Sequence, residues 1–96
     1  NKLQPSDMRD ATITISNFGV LGGSGLFATP IIHSPQVAIL ALAKIQRQPM
    51  VKNGEIVACD LLNLSWSFDH RVIDGHAAAT FSHYFCTLIH NPGQLL

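Results

Sequence analysis

The stretch S-W-S-F-D-H-R-V-I-D-G, Ser65–Gly75, decides how this chain is read. Leading into it and through its start, Leu62, Leu64, Trp66 and Phe68 alternate with Asn63, Ser65 and Ser67. That is the two-residue period of a strand with one apolar and one polar face. Downstream, Asp74 is a good N-cap for a helix that enters the alanines at 77–79. His70 therefore stands at a strand-to-helix turn, where a side chain can be exposed yet held by rigid elements.

Working outward toward the C-terminus, residues 75–90 are amphipathic. Ala78, Phe81, Phe85, Leu88 and Ile89 fall at helical spacing, with His76, Thr80, His83, Thr87 and His90 opposite. Asn91-Pro92-Gly93 ends that helix. Toward the N-terminus, Asn53-Gly54 predicts a two-residue type I′ hairpin between arms at 46–52 and 55–59, and Pro49 makes the first arm an edge strand. Val37–Ala43 is almost wholly apolar, as expected for a strand covered on both faces at the centre of a sheet. Thr29-Pro30 and Ser34-Pro35 bracket Ile31-Ile32-His33 in extended backbone. Residues 18–25 carry four glycines and read as a loop. Ala11–Asn17 alternates Thr12, Thr14 and Ser16 with Ile13 and Ile15, a half-buried strand. A short helical turn is expected to begin at Pro5-Ser6. The fold class is α/β in the broad sense, α+β with a mixed sheet and helices.

Composition narrows the function. The 96 residues have 47% apolar content, enough for one small core, and six basic residues balance six acidic ones, so nothing points to nucleic acid or to an anionic membrane surface. Charged residues make up 12% of the chain, about half the roughly 25% of an ordinary soluble chain, while no apolar run approaches the ~20 residues of a membrane span. Such a chain is expected to bury surface against other protein in an obligate assembly. It opens at Asn1 without a charged-then-apolar leader, so no targeting segment is expected within it. Cys59 and Cys86 show no C-x-x-C pattern and are expected to be reduced, mostly buried thiols of an intracellular protein.

Three site hypotheses can be weighed on spacing alone. The glycine loop lacks the Lys-Ser/Thr ending of a P-loop and the G-x-G-x-x-G spacing, which excludes a nucleotide fold. His76, His83 and His90 lie seven apart on one helix stripe, roughly 10 Å between neighbours, too far to share an ion, so no metal is expected. His33 reads as a packed loop residue. His70 has Asp69, Arg71 and Asp74 around it, and an imidazole with an ordinary pKa near 6.5 is partly neutral at pH 7, able to take a proton from a thiol of pKa about 8.5. Asp74 has two readings: an N-cap, or an acid that orients the turn by pairing with an arginine. Both keep it ionised. Arg71 is read first as a turn-fixing residue.

D-H-R-V-I-D-G resembles the signature of the dihydrolipoamide acyltransferases, the core subunits of 2-oxo acid dehydrogenase complexes. Its H-x-x-x-D-G part is shared with chloramphenicol acetyltransferase. T-I-S-N-F-G at 14–19, G-G-S-G-L-F-A-T-P-I-I at 22–32, P-Q-V-A-I-L at 35–40 and the terminal Leu-Leu stand in the family's order, so the resemblance covers nearly the whole chain. It implies a chloramphenicol acetyltransferase-like fold, with residues 1–96 as the C-terminal part of one catalytic domain and no lipoyl or subunit-binding domain among them.

The activity implied is acyl exchange between coenzyme A, as substrate, and a dihydrolipoyl group carried on a separate domain, with no cofactor bound by this part. His70 would be the general base, Ser16 of T-I-S-N the donor to the tetrahedral oxyanion, and Asp74 the third catalytic-motif residue. Asn17, Ser67 and Arg71 would stand among the substrate-binding residues. Without the resemblance, Ser16 would be read as the end of a strand. The family assembles as trimers whose sites lie between neighbouring subunits, and these build a cubic 24-mer or an icosahedral 60-mer. The terminal leucines enter a neighbouring trimer. The lipoyl domain, the decarboxylase and dihydrolipoamide dehydrogenase are the implied partners, in the cytoplasm of a bacterium or the mitochondrial matrix. The motif's spelling resembles branched-chain members somewhat more than pyruvate members, which leaves the acyl group open. A non-catalytic core subunit is the rival, and His70 argues against it.

Overall fold

A computed structural model of the chain describes residues 2–19 and 27–96. In chain order it has a 3-10 turn at Pro5–Met8, strands β1 (Thr14–Asn17), β2 (Ala38–Leu42), β3 (Gln46–Lys52), β4 (Glu55–Leu61) and β5 (Leu64–Phe68), helix α1 (Gly75–His90) and a 3-10 turn at Pro92–Leu95. The glycine loop expected at 18–25 lies, from residue 20 on, outside the described residues.

Strand β2 is central, as its apolar run predicts. It pairs parallel with β1, Thr14 opposite Ile39 and Asn17 opposite Leu42, and antiparallel with β5, Ala38 opposite Phe68 and Leu42 opposite Leu64. Among the described residues, Ala38, Ile39, Leu40, Ala41 and Ala43 are the buried ones, with Leu40 only 1% exposed. Both parities of the strand are covered because each face meets something different. On one face Trp66 stacks on Phe68 at 5.3 Å, and meets Phe81 and Phe85 of α1 edge-on at 5.4 and 5.6 Å. Each such aromatic pair contributes about 0.5–1.5 kcal/mol beyond its buried area. On the other face the expected polar side of β5 is half-buried rather than bare. Ser65 Oγ accepts from the Ala28 amide at 3.1 Å, and Ser67 Oγ donates to the Pro30 carbonyl at 2.6 Å, so the two serines hold the incoming 28–30 segment.

The outer strands are shorter than their patterns suggest. The first begins at Thr14 instead of Ala11, and β5 at Leu64 instead of Leu62, because backbone pairing to β2 is what makes each a strand. Ile15 was expected on a buried side and is 61% exposed; the aromatic contacts of α1 reach β5 only, leaving the Ile15 side of β1 uncovered. The helix matches its predicted span, but Phe81 and Ile89 of its apolar stripe remain 49% and 53% exposed.

The Asn53-Gly54 hairpin forms with both turn residues at positive φ, 52° and 79°, the demand of a type I′ turn that glycine and asparagine meet at least cost. Pro49 sits opposite Ala58 in this separate two-stranded sheet, leaving a free edge as expected. Cys59 and Cys86 are free and half-buried.

Gly19 shows where β1 leaves the sheet. A Cβ there would lie 2.8 Å from both the Cα and the amide nitrogen of Lys44, closer than backbone atoms can be approached. Gly19→Ala in the complete domain should lower stability by about 1–3 kcal/mol, read as a lower urea midpoint with an unchanged slope. An unchanged midpoint would show that the two segments are free to separate.

Candidate functional site

The turn between β5 and α1 is built by Asp69. Its amide donates to the Val37 carbonyl at 2.8 Å, continuing the sheet by one bond, and its carbonyl accepts from Val72 and Ile73, each at 2.9 Å. Its carboxylate accepts the Arg71 amide at 3.1 Å, Arg71 Nε at 3.0 Å and Arg71 Nη2 at 2.8 Å. A guanidinium forked on a carboxylate fixes both planes. Those hydrogen bonds from Arg71 hold the Asp69 carboxyl down at about 2 from its ordinary 3.8, and the carboxylate raises the guanidinium in return. The Asp69 side chain is 17% exposed and that of Arg71 89%.

His70 lies between these two paired residues and is exposed. It opens on a cleft of about 500 Å³ lined in part by Ser34, Gln36, Asp69 and Arg71. After the turn, Asp74 Oδ1 accepts from the Ala77 amide at 2.7 Å as the N-cap of α1. The alternative pairing of Asp74 with an arginine is corrected: among the described residues Arg71 pairs with Asp69 and Arg47 with Asp60. The reason is reach, since Asp69 is two residues from Arg71 on the same tight turn while Asp74 is spent on the helix end. Asp69 was named in the sequence only as a neighbour of His70. Its Asp-x-Arg spacing at the end of a strand was the available signal.

The other expected site residues lie elsewhere. Ser16 and Asn17 are exposed on β1, and Asn17 Oδ1 accepts from the Gly19 amide at 2.9 Å. Ser16 has no side-chain hydrogen bond among the described residues. Ser67 has its hydroxyl proton on the Pro30 carbonyl. The register separates Ser16 from His70 within one chain. Ser16 is level with Ala41 and Ser65, whereas His70 follows Phe68, which is level with Ala38. Three residue steps at about 3.3 Å and two strand spacings of about 4.8 Å place Ser16 more than ~13 Å from Phe68 alone. The structure thus unites His70 with Asp69, Arg71 and, through the turn, Asp74, and leaves Ser16 and Asn17 at the far edge.

No group of three histidine, cysteine or acidic side chains able to hold a metal occurs among the described residues, and no described helix is long and apolar enough to cross a membrane.

The family model for the 2-oxoacid dehydrogenases acyltransferase (catalytic domain) matches residues 1–96. The dihydrolipoyllysine-residue acetyltransferase component of the pyruvate dehydrogenase complex from Staphylococcus aureus strain Mu50 is 47% identical over 95 residues, covering 99% of this chain and 22% of that relative. Among solved structures, the dihydrolipoamide acetyltransferase of Azotobacter vinelandii aligns with a TM-score of 0.84 and 42% identity, covering 98% of this chain and 38% of that one. The cubic core of the pyruvate dehydrogenase multienzyme complex aligns at 0.83 and 40% identity, over 95% of this chain and 37% of that one. The chain therefore spans about a fifth of the curated relative and under two-fifths of these structures. Its α+β architecture is theirs, the chloramphenicol acetyltransferase-like fold that the sequence resemblance implies. Matched along its whole length, the chain belongs to the 2-oxoacid dehydrogenase acyltransferase (catalytic domain) family.

Proposed function

We propose that the complete domain containing this chain transfers an acyl group between coenzyme A and the dihydrolipoyl group of a 2-oxo acid dehydrogenase complex, with His70 as general base. The observation that carries this is the exposed imidazole on a braced strand-to-helix turn, facing a 500 Å³ cleft, in a chain of this family. The named relatives are acetyltransferases, which favours acetyl over a branched-chain group. In the reaction the His70 imidazole takes the proton of the attacking thiol. The sulfur forms a bond to the thioester carbonyl carbon and the carbonyl oxygen becomes a tetrahedral oxyanion. Collapse breaks the original carbon–sulfur bond, and the departing thiolate recovers the proton from the imidazolium.

An oxyanion requires a donor near 3 Å, a contact worth roughly 3 kcal/mol of barrier. Ser16 is the family-matched donor and its hydroxyl is exposed, yet the sheet holds it too far from His70 of its own chain. The proposal therefore places each site between two copies, Ser16 from one and His70 from the next. In the Azotobacter protein the roles of a serine, a histidine and an asparagine four residues beyond it in the catalytic mechanism were investigated. The same spacing joins His70 to Asp74 here, with an aspartate in place of the amide. As Asp74 caps α1, its role is to orient the turn. Asn17, Ser67 and Arg71 remain in the proposal as residues bordering the substrates. Ser67 acts by fixing the 28–30 segment and Arg71 by bracing Asp69. The exposed Leu95 and Leu96, 63% and 108% open, suit contacts between trimers in a larger core. The lipoyl domain and the other enzymes of the complex are the proposed partners.

His70→Ala in the complete domain should lower kcat for acetyl transfer from acetyl coenzyme A to dihydrolipoamide by at least about 100-fold, with KM little changed. Wild-type turnover in the variant would remove the mechanism. If the site spans two copies, unfolding and co-refolding equal amounts of inactive Ser16→Ala and His70→Ala chains should restore roughly a quarter of the sites in random trimers; no restoration would return both residues to one chain. The brace is testable by pH. The Asp69 carboxyl sits below its unfolded value, so its contribution is full above about 3.8 and is lost as pH falls toward 2. A carbon-13 titration of labelled aspartate should give Asp69 a midpoint near 2, and an ordinary midpoint in the Arg71→Ala chain. An ordinary midpoint in the unaltered chain would contradict the forked pair.

A further inference from the structure

Gln36 lines the same cleft as His70 and has no place in the mechanism above. It stands two residues before β2, half-buried, with its backbone amide donating to the His33 carbonyl at 2.9 Å. Its side-chain Oε1 accepts from the Thr14 hydroxyl of β1, across 22 residues of sequence. That contact orients the whole planar amide, since fixing one oxygen fixes the nitrogen opposite. The Nε2 group makes no hydrogen bond among the described residues, so its two N–H donors are left for the cleft. The neighbouring carboxylate, Asp69, is already filled by Arg71. The cleft that His70 lines thus also presents a neutral amide donor of fixed direction, while the Arg71 guanidinium there is forked on Asp69.

Resting on the acyl-transfer function proposed above, we infer that Gln36 contacts substrate, donating its Nε2–H to an amide carbonyl on the arm that brings the thiol to His70. Both thiols of the reaction carry such a carbonyl: the pantetheine arm of coenzyme A, and the amide joining a lipoyl group to its carrier. An alkyl thiol without one leaves the Gln36 donor unmatched. The contact forms on binding and is kept through the reaction, so it acts on KM and not on kcat.

The test uses the complete assembled domain carrying Gln36→Met, which keeps side-chain length and removes the amide, with Thr14→Val as a second variant that frees the amide without removing it. KM is measured separately for acetyl coenzyme A and for dihydrolipoamide, then for amide-free counterparts, the acetyl thioester of a simple alkyl thiol as donor and 1,3-propanedithiol as acceptor. Gln36→Met should raise one of the two natural KM values about five- to tenfold, as expected for one lost hydrogen bond. The other KM and kcat should stay within about twofold. The amide-free counterpart on the affected side should be insensitive to the substitution, and the side affected identifies the arm. Thr14→Val should shift the same KM in the same direction by less. Unchanged KM values, an equal rise with amide-free substrates, or a fall in kcat alone would each overturn the inference. Wild-type turnover in His70→Ala would instead remove the reaction on which it rests. Light scattering on both variants confirms an intact particle, and if Gln36→Met fails to assemble, the Thr14→Val measurement decides.

Discussion

Strand β2 is hydrogen-bonded along both edges, parallel to β1 and antiparallel to β5, and every other feature of the sheet follows from that double pairing. A strand so placed must satisfy its backbone within the protein and cover side chains of both parities. Ala38, Ile39, Leu40 and Ala41 meet this with small and branched side chains, and they form nearly the whole buried core of the described residues. Ala38 has a second consequence: level with Phe68, it leaves room for that ring, on which Trp66 stacks as it meets Phe81 and Phe85 of α1.

The candidate site is made at the ends of these elements. Where β5 runs out, the Asp69 amide still bonds to Val37, so the turn starts from the sheet without slack. Where α1 begins, Asp74 closes it with a 2.7 Å bond. Between the two anchors the chain has only four residues to reverse, and the Asp69–Arg71 pair takes up the remaining freedom. His70 is carried by this frame with neither ring nitrogen hydrogen-bonded among the described residues. In the same cleft the Gln36 amide is held by Thr14 of β1, 22 residues away in sequence.

Elsewhere on the surface large apolar side chains stand open. Ile31, Ile56 and Val51 are 87%, 78% and 69% exposed, and α1 buries none of its residues fully. Large apolar groups left open to this extent mark surfaces made to be covered, in keeping with a chain that spans 38% of its structural relative. The low charge read from composition accords with these exposed apolar side chains, since charges on a surface buried against protein would have to be desolvated.

Local chemistry was enough to determine several features from the sequence alone. The Asn53-Gly54 turn, the Asp74 cap, the span of α1 and the centrality of 37–43 each depend on neighbours within a few residues or on unbroken hydrophobicity. The place of His70 at a strand-to-helix turn followed from the same patterns, and the family followed from five motifs in order. Only tertiary structure decided the rest. Strand ends at Thr14 and Leu64 were set by where β2 offers partners, and the polar face of β5 was covered by a segment 37 residues away in sequence. Periodicity cannot reveal a neighbour that distant. Nor could it show that Arg71 goes to Asp69 and not Asp74, that Thr14 holds Gln36, or that Ser16 and His70 of one chain stand at opposite ends of the sheet. The Arg71 choice is one of reach within a turn, while the other two depend on register, which is fixed when strands meet, because a shift of one residue turns every side chain to the other face.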